Sequence, residues 1–396
     1  GVIMAVREQV YGYFIPSVTL IGIGAAKQIP DKIKALGGSK PLIVTDKGIT
    51  GAGITKQITD LLDAAGMKYV VYDETIPNPT DKNVHDGVDI YKKESCDSLI
   101  TLGGGSSHDC GKGIGLVVAN GGKIHDYEGV DKSSKPMPPY LAVNTTAGTA
   151  SEMTRFCIIT DLSRHVKMAI VDWRVTPGIA VDDPLLMVGM PPSLTAATGM
   201  DALTHAVEAY VSTIANPMTD SAAEKAIELI AKYLRPAVAN GQDIEAREGM
   251  CFAQYLAGMA FNNASLGHVH AMAHQLGGFY DLPHGECNAI LLPHVERFNL
   301  IAKMDQFVKI AELMGENTTG LAPRDAAELA LVAIKKLSAD IGIPGGLIEL
   351  GKRYGKEVKA SDIDTMVANA QKDACGLTNP RCPKDVDVKA IYTAAL

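Results

Sequence analysis

The second half of the sequence contains one carboxylate and four imidazoles at spacings that suit a metal site. In GMDALTHAVEAY, Asp201 and His205 are four residues apart, and in HVHAMAHQLGGFYDLPHGE the same interval separates His270 from His274. His284 follows ten residues later. Because residues four apart share one face of an α-helix, each segment directs two such side chains toward one point. Carboxylate and neutral imidazole groups bind divalent ions such as Fe²⁺ and Zn²⁺.

Either segment alone has a simpler interpretation. A single Asp-x-x-x-His on a helix is more often a cap or a surface pair than a metal site. The residues around both pairs are mostly Ala, Leu, Met, Val and Gly, which places these polar groups on apolar helices. Buried polar groups need partners, and one shared ion would satisfy them all. The two segments together therefore predict a metal site.

A glycine-rich turn in the first half predicts a site for a pyrophosphate. In TLGGGSSHDCGKGIG, a β-type run ends at three glycines, and a helical pattern begins at Ser106. Glycine lets backbone N–H groups approach an anion, and the helix N-terminus adds positive potential. The alternative is a plain strand-to-helix turn. The segment is not a Walker A loop, because Gly113 stands where that loop needs Ser or Thr.

Other polar residues of the first half are candidates for binding the rest of a dinucleotide. Asp46 ends the run LIVTD, where a carboxylate can accept hydrogen bonds from a ribose and repel a ribose phosphate. Its alternative role is that of a turn or cap residue. Lys167 lies in a predicted hairpin, where an exposed strand lysine is the alternative. The loop NTTAGTASE is either a polar loop or a cofactor contact, and its threonines are Thr145, Thr146 and Thr149.

The elements that position these residues change in character near residue 188. Before it, β-type runs at 41–46, 68–73 and 97–105 alternate with helical patterns at 54–66 and 81–96. This alternation is typical of a doubly wound, mostly parallel sheet, and 156–172 predicts a hairpin. After the Pro-Pro pair, helical patterns follow at 193–213, 217–234, 242–260, 264–279 and 323–341. We predict an α/β domain over 1–188 and an all-helical domain over 189–396.

The bulk properties argue against several classes of function. The 396 residues carry a net charge of −8 without a basic run, which argues against a nucleic-acid partner. No apolar stretch approaches the roughly 20 residues that span a bilayer, and the first residues lack a signal-peptide pattern. The seven cysteines are dispersed without a Cys-x-x-Cys motif, which favours reduced thiols in the cytoplasm.

In this order, the motifs resemble those of the iron-containing (group III) alcohol dehydrogenase family. The resemblance covers nearly the whole chain and is closest to the branch of 1,3-propanediol dehydrogenases and NAD-dependent methanol dehydrogenases. It implies a Rossmann-like dinucleotide-binding α/β domain followed by an all-α domain. The segments that carry it are PNPT, GGGSSHD, NTTAGTASE, DPLLM, MPPSLTAATGMDALTHAVEAY and AGMAFNNASLGHVHAMAHQLGGFYDLPHGECNAILLPHV.

The resemblance also implies roles for single residues. His274 matches a histidine beside the metal that faces nicotinamide or substrate. The positions that match the family's metal ligands are Asp201, His205, His270 and His284. The positions that match contacts to the dinucleotide are Asp46, Asn78, Gly104, Gly105, Ser106, Thr145, Thr146, Thr149 and Lys167.

The function that the resemblance implies is hydride transfer between NAD and a primary alcohol such as ethanol, propanol, butanol or 1,3-propanediol. Fe²⁺ is the expected metal and Zn²⁺ the second choice. One alternative is a glycerol-dehydrogenase-like polyol oxidoreductase of the same fold. The other is a metallohydrolase, and the glycine turn and Asp46 argue against that class. Because the closest branch tends to form dimers that assemble into larger rings, often decamers, we expect a cytoplasmic homo-oligomer that binds small alcohols and aldehydes but no nucleic acid or membrane.

Overall fold

Short apolar runs form a six-stranded parallel sheet in the N-terminal part of the computed structural model, which describes residues 10–164 and 166–396. Its strands are β1 Val18–Ile21, β2 Pro41–Val44, β3 Val70–Tyr72, β4 Ser98–Gly103, β6 Tyr140–Asn144 and β9 Ile179–Asp182. The spatial order is β1-β9-β6-β4-β2-β3. The four inner strands are buried along their whole length, which explains why they are continuous apolar runs rather than alternating ones.

Helices connect these strands and cover the sheet. Asp46 and Thr80 cap two of them by accepting a hydrogen bond from a backbone N–H in the first turn. The helices are α1 Ile29–Ala35, α2 Lys47–Gly51, α3 Ile54–Ala64, α4 Asp81–Lys93 and α5 Gly105–Asn120. The strand predicted over 41–46 ends at Val44, because Asp46 starts a helix instead. The sequence patterns predict no strand at the positions of β1 and β9.

The predicted hairpin lies in a second, smaller sheet. Strands β7 Phe156–Asp161 and β8 Val166–Val171 pair in antiparallel fashion, with Thr160 opposite Lys167. The short strand β5 Gly129–Val130 adds to β8 in parallel. This sheet packs against α5, so the hairpin is held beside the helix that follows the glycine turn.

The C-terminal part is helical and shares one large apolar core. Its helices are α6 Pro192–Val211, α7 Pro217–Ala239, α8 Ile244–Ala264, α9 His268–Tyr280, α10 His284–Asn299, α11 Met304–Leu313, α12 Pro323–Asp340, α13 Leu347–Arg353, α14 Ile363–Ala370 and α15 Asp385–Ala395. The helix predicted over 264–279 begins only at His268, because Ser265 has a φ of 62° and ends the preceding helix. The domain boundary near residue 188 stays a prediction; that residue lies between β9 and α6. Among the described residues, none of the helices combines the length and apolarity that crossing a membrane requires.

A buried lysine fastens α5 to the segment that follows the threonine-rich loop. Lys112 Nζ donates to the carbonyl oxygens of Ser151 at 2.7 Å, Thr154 at 2.9 Å and Phe156 at 2.7 Å. The side chain is fully buried, and burial lowers the pKa of its ammonium group. One side chain therefore donates to three carbonyls, of which that of Ser151 also accepts a hydrogen bond of 3.4 Å from Thr154 N–H.

Lys112→Met should destabilise the protein by at least about 2 kcal/mol, because the carbonyls of Thr154 and Phe156 lose their donor and each such loss costs about 1–3 kcal/mol. Denaturant unfolding measures this change. Lys82→Met is the matched control, since Lys82 is exposed and forms only an i,i+4 ion pair with Asp86; it should change stability by less than about 1 kcal/mol. Equal losses in the two variants would contradict the structural role of Lys112.

Candidate metal centre and nucleotide site

Three helices bring the predicted ligands together. Asp201 and His205 lie one turn apart on α6, His270 lies near the start of α9, and His284 is the first residue of α10. Asp201, His205 and His270 are buried, which is unusual for charged and polar groups unless they are paired. The short loop between α9 and α10 ends at Pro283, whose extended backbone starts α10 at His284.

The imidazoles converge on a single carboxylate oxygen. Asp201 Oδ1 lies 3.6 Å from His205 Nε2, 3.5 Å from His270 Nε2 and 3.5 Å from His284 Nε2. The rings of His205 and His270 stack with their centroids 4.8 Å apart. One carboxylate and three imidazoles thus direct their donor atoms at one small volume. These are the four positions that the family resemblance implied as metal ligands, and His274, which spacing paired with His270, is not among them.

Asn288 shows that this donor set suits a cation. Its Nδ2 lies 2.8 Å from Asp201 Oδ1, 3.1 Å from His270 Nε2 and 3.0 Å from His284 Nε2. An amide nitrogen has two hydrogens, so it cannot satisfy all three atoms when both imidazoles are in the neutral form that binds a metal. The Oδ1 atom of Asn288 is buried and has no hydrogen-bond partner among residues 10–164 and 166–396. A divalent ion accepts one carboxylate and several neutral imidazoles at once, so the residues present fit such an ion.

The pKa values in this cluster depend on burial and on the shared charge. Burial lowers the pKa of His205 to about 4 and that of His284 well below its usual value. Burial alone would raise the pKa of Asp201, but the surrounding His205, His284 and His270 hold it well below its usual range. The carboxylate is therefore ionised, and both His205 and His284 are neutral at pH 7, which is the form that binds a metal.

Glu208 orients His270 and was not predicted from the sequence. Its Oε2 lies 2.6 Å from His270 Nδ1, and its Oε1 accepts a hydrogen bond of 2.6 Å from the Val269 backbone N–H. Burial lowers the pKa of His270, but Glu208 and Asp201 outweigh it and raise the pKa to about 9. A carboxylate on the far nitrogen fixes the ring and makes it a more basic ligand. Spacing offered a signal, because Glu208 follows Asp201 by seven residues on α6.

His274 lies at the edge of this cluster rather than inside it. Its ring stacks on His284 with a centroid distance of 5.4 Å, and its Nδ1 lies 2.8 Å from Asp373 Oδ2. The side chain is 31% exposed, unlike the buried His270 on the preceding turn. Asp373 is 99 residues away in sequence, and no pattern in the sequence linked it to this site.

The predicted pyrophosphate turn connects β4 to α5. Gly104 precedes the helix and provides no side-chain cap, so the first N–H groups of α5 are open to an anion. A Cβ atom on Gly104 would lie 3.0 Å from Thr146 Cγ2, and one on Gly105 would lie 3.2 Å from Thr149 Cγ2. Side chains there would fill the space between the glycine turn and the threonine-rich loop. This narrow cradle fits a phosphate group, and Ser106 lies beside it in the first turn of α5.

The threonine-rich loop joins the cradle to the metal ligands. Thr145 N–H donates to the Gly103 carbonyl at 3.0 Å, while the buried Thr145 hydroxyl has no hydrogen-bond partner in the part of the chain that the structure describes. A Cβ atom on Gly148 would lie 2.6 Å from the Thr198 carbonyl oxygen, so this loop also contacts α6. The structure therefore places the cradle and the helix of Asp201 on opposite sides of one loop.

Asp46 caps a helix, which is the alternative role that its position in the sequence left open. Its Oδ1 accepts a hydrogen bond from Ile49 N–H at 2.9 Å and caps α2, while Ser107 Oγ lies 3.5 Å from its Oδ2. The cap uses one carboxylate oxygen and leaves the other beside the start of α5. The two proposed roles are thus compatible in one side chain.

Asn78 and Lys167 form a pair. Lys167 Nζ donates to Asn78 Oδ1 at 2.9 Å, and Asn78 has a positive φ of 55°. Lys167 is therefore not a free strand lysine. Burial lowers the pKa of His284, and the charge of Lys167 lowers it further, as do His270 and His274, whereas Asp201 raises it. The pair thus lies on the side of the nucleotide-binding part that faces the metal ligands.

Known proteins match this chain over almost its whole length. The profile described as "Iron-containing alcohol dehydrogenase" matches residues 16–184, and that of the C-terminal part of the same family matches residues 195–396. A 1,3-propanediol dehydrogenase of Citrobacter freundii is 53% identical over 98% of this chain and 99% of its own. The NAD-dependent methanol dehydrogenase of Bacillus methanolicus is 49% identical over 97% and 99%.

A solved structure agrees with these sequence matches. The crystal structure of a 1,3-propanediol oxidoreductase superposes with a TM-score of 0.95 at 52% identity and covers 98% of this chain and all of that one. The resemblance and the two-part fold predicted from the sequence are confirmed. The chain therefore belongs to the iron-containing alcohol dehydrogenase family and is an oxidoreductase that interconverts alcohols and aldehydes.

Proposed function

We propose that this protein oxidises a small primary alcohol, or reduces its aldehyde, with NAD(H) and one Fe²⁺ ion. The observation that carries this proposal is that three imidazole nitrogens lie within 3.6 Å of one carboxylate oxygen, Asp201 Oδ1. The cradle between the glycine turn and the threonine-rich loop, beside this cluster, supports the proposal that a dinucleotide binds. The relatives named for 1,3-propanediol and methanol support a short alcohol rather than a bulky one.

Each part of the site has a proposed task. Asp201, His205, His270 and His284 hold the ion, and Gly104, Gly105 and Ser106 bind the pyrophosphate. When bound, the divalent ion acts as a Lewis acid toward the alcohol, and the nicotinamide accepts the hydride. His274 contacts the alcohol or the nicotinamide. The remaining dinucleotide contacts that we propose are Asp46, Asn78, Thr145, Thr146, Thr149 and Lys167.

The two alternatives are less well supported. A metallohydrolase requires no dinucleotide, so it leaves the cradle between α5 and the threonine-rich loop without a purpose. A polyol substrate of the glycerol type agrees with the fold, and a substrate panel distinguishes it from a simple primary alcohol.

The function is tested with a panel of primary alcohols and polyols in the presence of NAD and Fe²⁺. We expect turnover of short primary alcohols by the wild type, and loss of both bound iron and turnover in His284→Ala, because that variant removes one ligand of four. His294→Ala is the matched control, since His294 lies on the same helix α10 and near Lys335 and Arg297 rather than Asp201. Full iron content together with full turnover in His284→Ala would refute the ligand assignment.

A second prediction concerns the choice between NAD and NADP. Asp46→Asn keeps an oxygen that caps α2 but removes the charge that repels a 2′-phosphate. We expect the ratio of kcat/KM for NAD to that for NADP to fall about tenfold, which corresponds to about 1.4 kcal/mol. The control is Asp243→Asn, which alters an aspartate with the same capping role on α8. An unchanged ratio in Asp46→Asn would show that its charge does not select the cofactor.

We also propose that the chain forms a cytoplasmic homo-oligomer built from dimers, as its resemblance to the 1,3-propanediol dehydrogenase branch implies. The seven cysteines are all free thiols, which supports a reducing compartment. Light scattering at micromolar concentration should give the mass of two chains or of a larger even number of chains, each of 41.9 kDa. A mass near that of one chain would contradict the proposed assembly.

A further inference from the structure

The imidazole of His274 is held by a carboxylate that is itself fixed in place. Asp373 Oδ2 lies 2.8 Å from His274 Nδ1, and Asp373 Oδ1 accepts a hydrogen bond of 2.9 Å from the Cys375 backbone N–H. The second bond caps the short 3-10 helix Ala374–Thr378, which packs against α9. Each oxygen of the Asp373 carboxylate therefore makes a different hydrogen bond, and rotation of the carboxylate would break at least one of them.

This contact determines which nitrogen of a neutral His274 carries the hydrogen. Burial alone would raise the pKa of Asp373, but its hydrogen bond with His274 is the largest of the contacts that lower it, so the carboxyl group is ionised at neutral pH. An ionised carboxylate only accepts hydrogen bonds. Nδ1 must therefore be the N–H of the ring, and Nε2 has a free lone pair.

The ring of His274 lies against two of the proposed metal ligands. The ring of His274 stacks on that of His284 at 5.4 Å and meets that of His270 edge-on at 6.1 Å. Within the described part of the chain, Nε2 forms no hydrogen bond, and the side chain is 31% exposed. Its lone pair is thus available to a group that enters beside the metal ligands.

We propose that Asp373 is a positioning residue that holds His274 as the Nδ1–H tautomer, so that Nε2 accepts a hydrogen bond from the hydroxyl group of the alcohol. This inference rests on the proposed function. Asp373 touches neither the alcohol nor the nicotinamide, and it acts only through His274. A purely structural role would end at the cap of the 3-10 helix, where the acceptor is the other carboxylate oxygen.

Asp373→Asn separates the two roles because an amide has only one oxygen. If that oxygen keeps the hydrogen bond from Cys375 N–H, the amide NH₂ group faces His274 Nδ1 and donates to it. Nδ1 then becomes an acceptor, and Nε2 carries the hydrogen. The cap is preserved in this variant, whereas the tautomer of His274 is reversed.

We expect kcat of Asp373→Asn to fall by roughly 10²–10⁴, the range for losing a correctly placed acid–base partner. The KM for alcohol and the iron content should stay within about twofold of the wild type. His274→Ala should show a similar loss, and the double variant should show no further loss, since Asp373 acts through the ring. The control is Asp362→Asn, which changes a carboxylate that accepts a hydrogen bond of 2.7 Å from Tyr280, also on α9.

Imidazole ¹⁵N NMR of the metal-free protein reads the tautomer without any turnover. The His274 signals are assigned by their loss in His274→Ala. We expect the Nδ1–H form in the wild type and the Nε2–H form in Asp373→Asn. An Nε2–H form in the wild type would overturn the proposal even if the variant did not fold, and so would additive losses of kcat in the double variant. If the wild type oxidised no alcohol but showed the expected tautomers, the proposed function would fail while the positioning by Asp373 would stand.

Discussion

The arrangement of the C-terminal helices depends on one buried negative charge. Asp201 lies in an apolar core, where an isolated carboxylate would cost many kcal/mol. Three imidazoles from α6, α9 and α10 surround it and keep it ionised. The three helices must therefore meet at this point, and the same convergence provides the ligand set. The same packing of α6, α9 and α10 thus stabilises the buried charge and brings the proposed metal ligands together.

A second set of contacts ties this centre to the nucleotide-binding part. The threonine-rich loop lies between the glycine turn and α6, and Lys112 holds the residues that follow it against α5. Because these contacts involve backbone atoms and buried side chains, small shifts on one side would disturb the other. This explains how two differently built halves can present one cofactor and one metal to the same substrate.

The carboxylates around the histidines contact different nitrogens of the imidazole rings. Asp201 meets the Nε2 atoms directly, while Glu208 and Asp373 each approach an Nδ1 atom from behind. Glu208 is buried and orients a proposed ligand, whereas Asp373 orients His274, which is partly exposed. The same pairing of carboxylate and imidazole therefore supports metal binding in one place and, as proposed, substrate contact in the other.

The sequence by itself determined the local patterns: helical pairs at Asp201 and His270, the glycine turn, the alternation of strands and helices, and the family. These follow from periodicity and turn chemistry, which are properties of short segments. Only the tertiary structure decided that Asn288 faces the ligand atoms, that Asp46 caps α2, and that Asp373 meets His274. Such contacts join residues through packing, and a residue 99 positions away leaves no periodic signal, because its partner is chosen by how the helices meet.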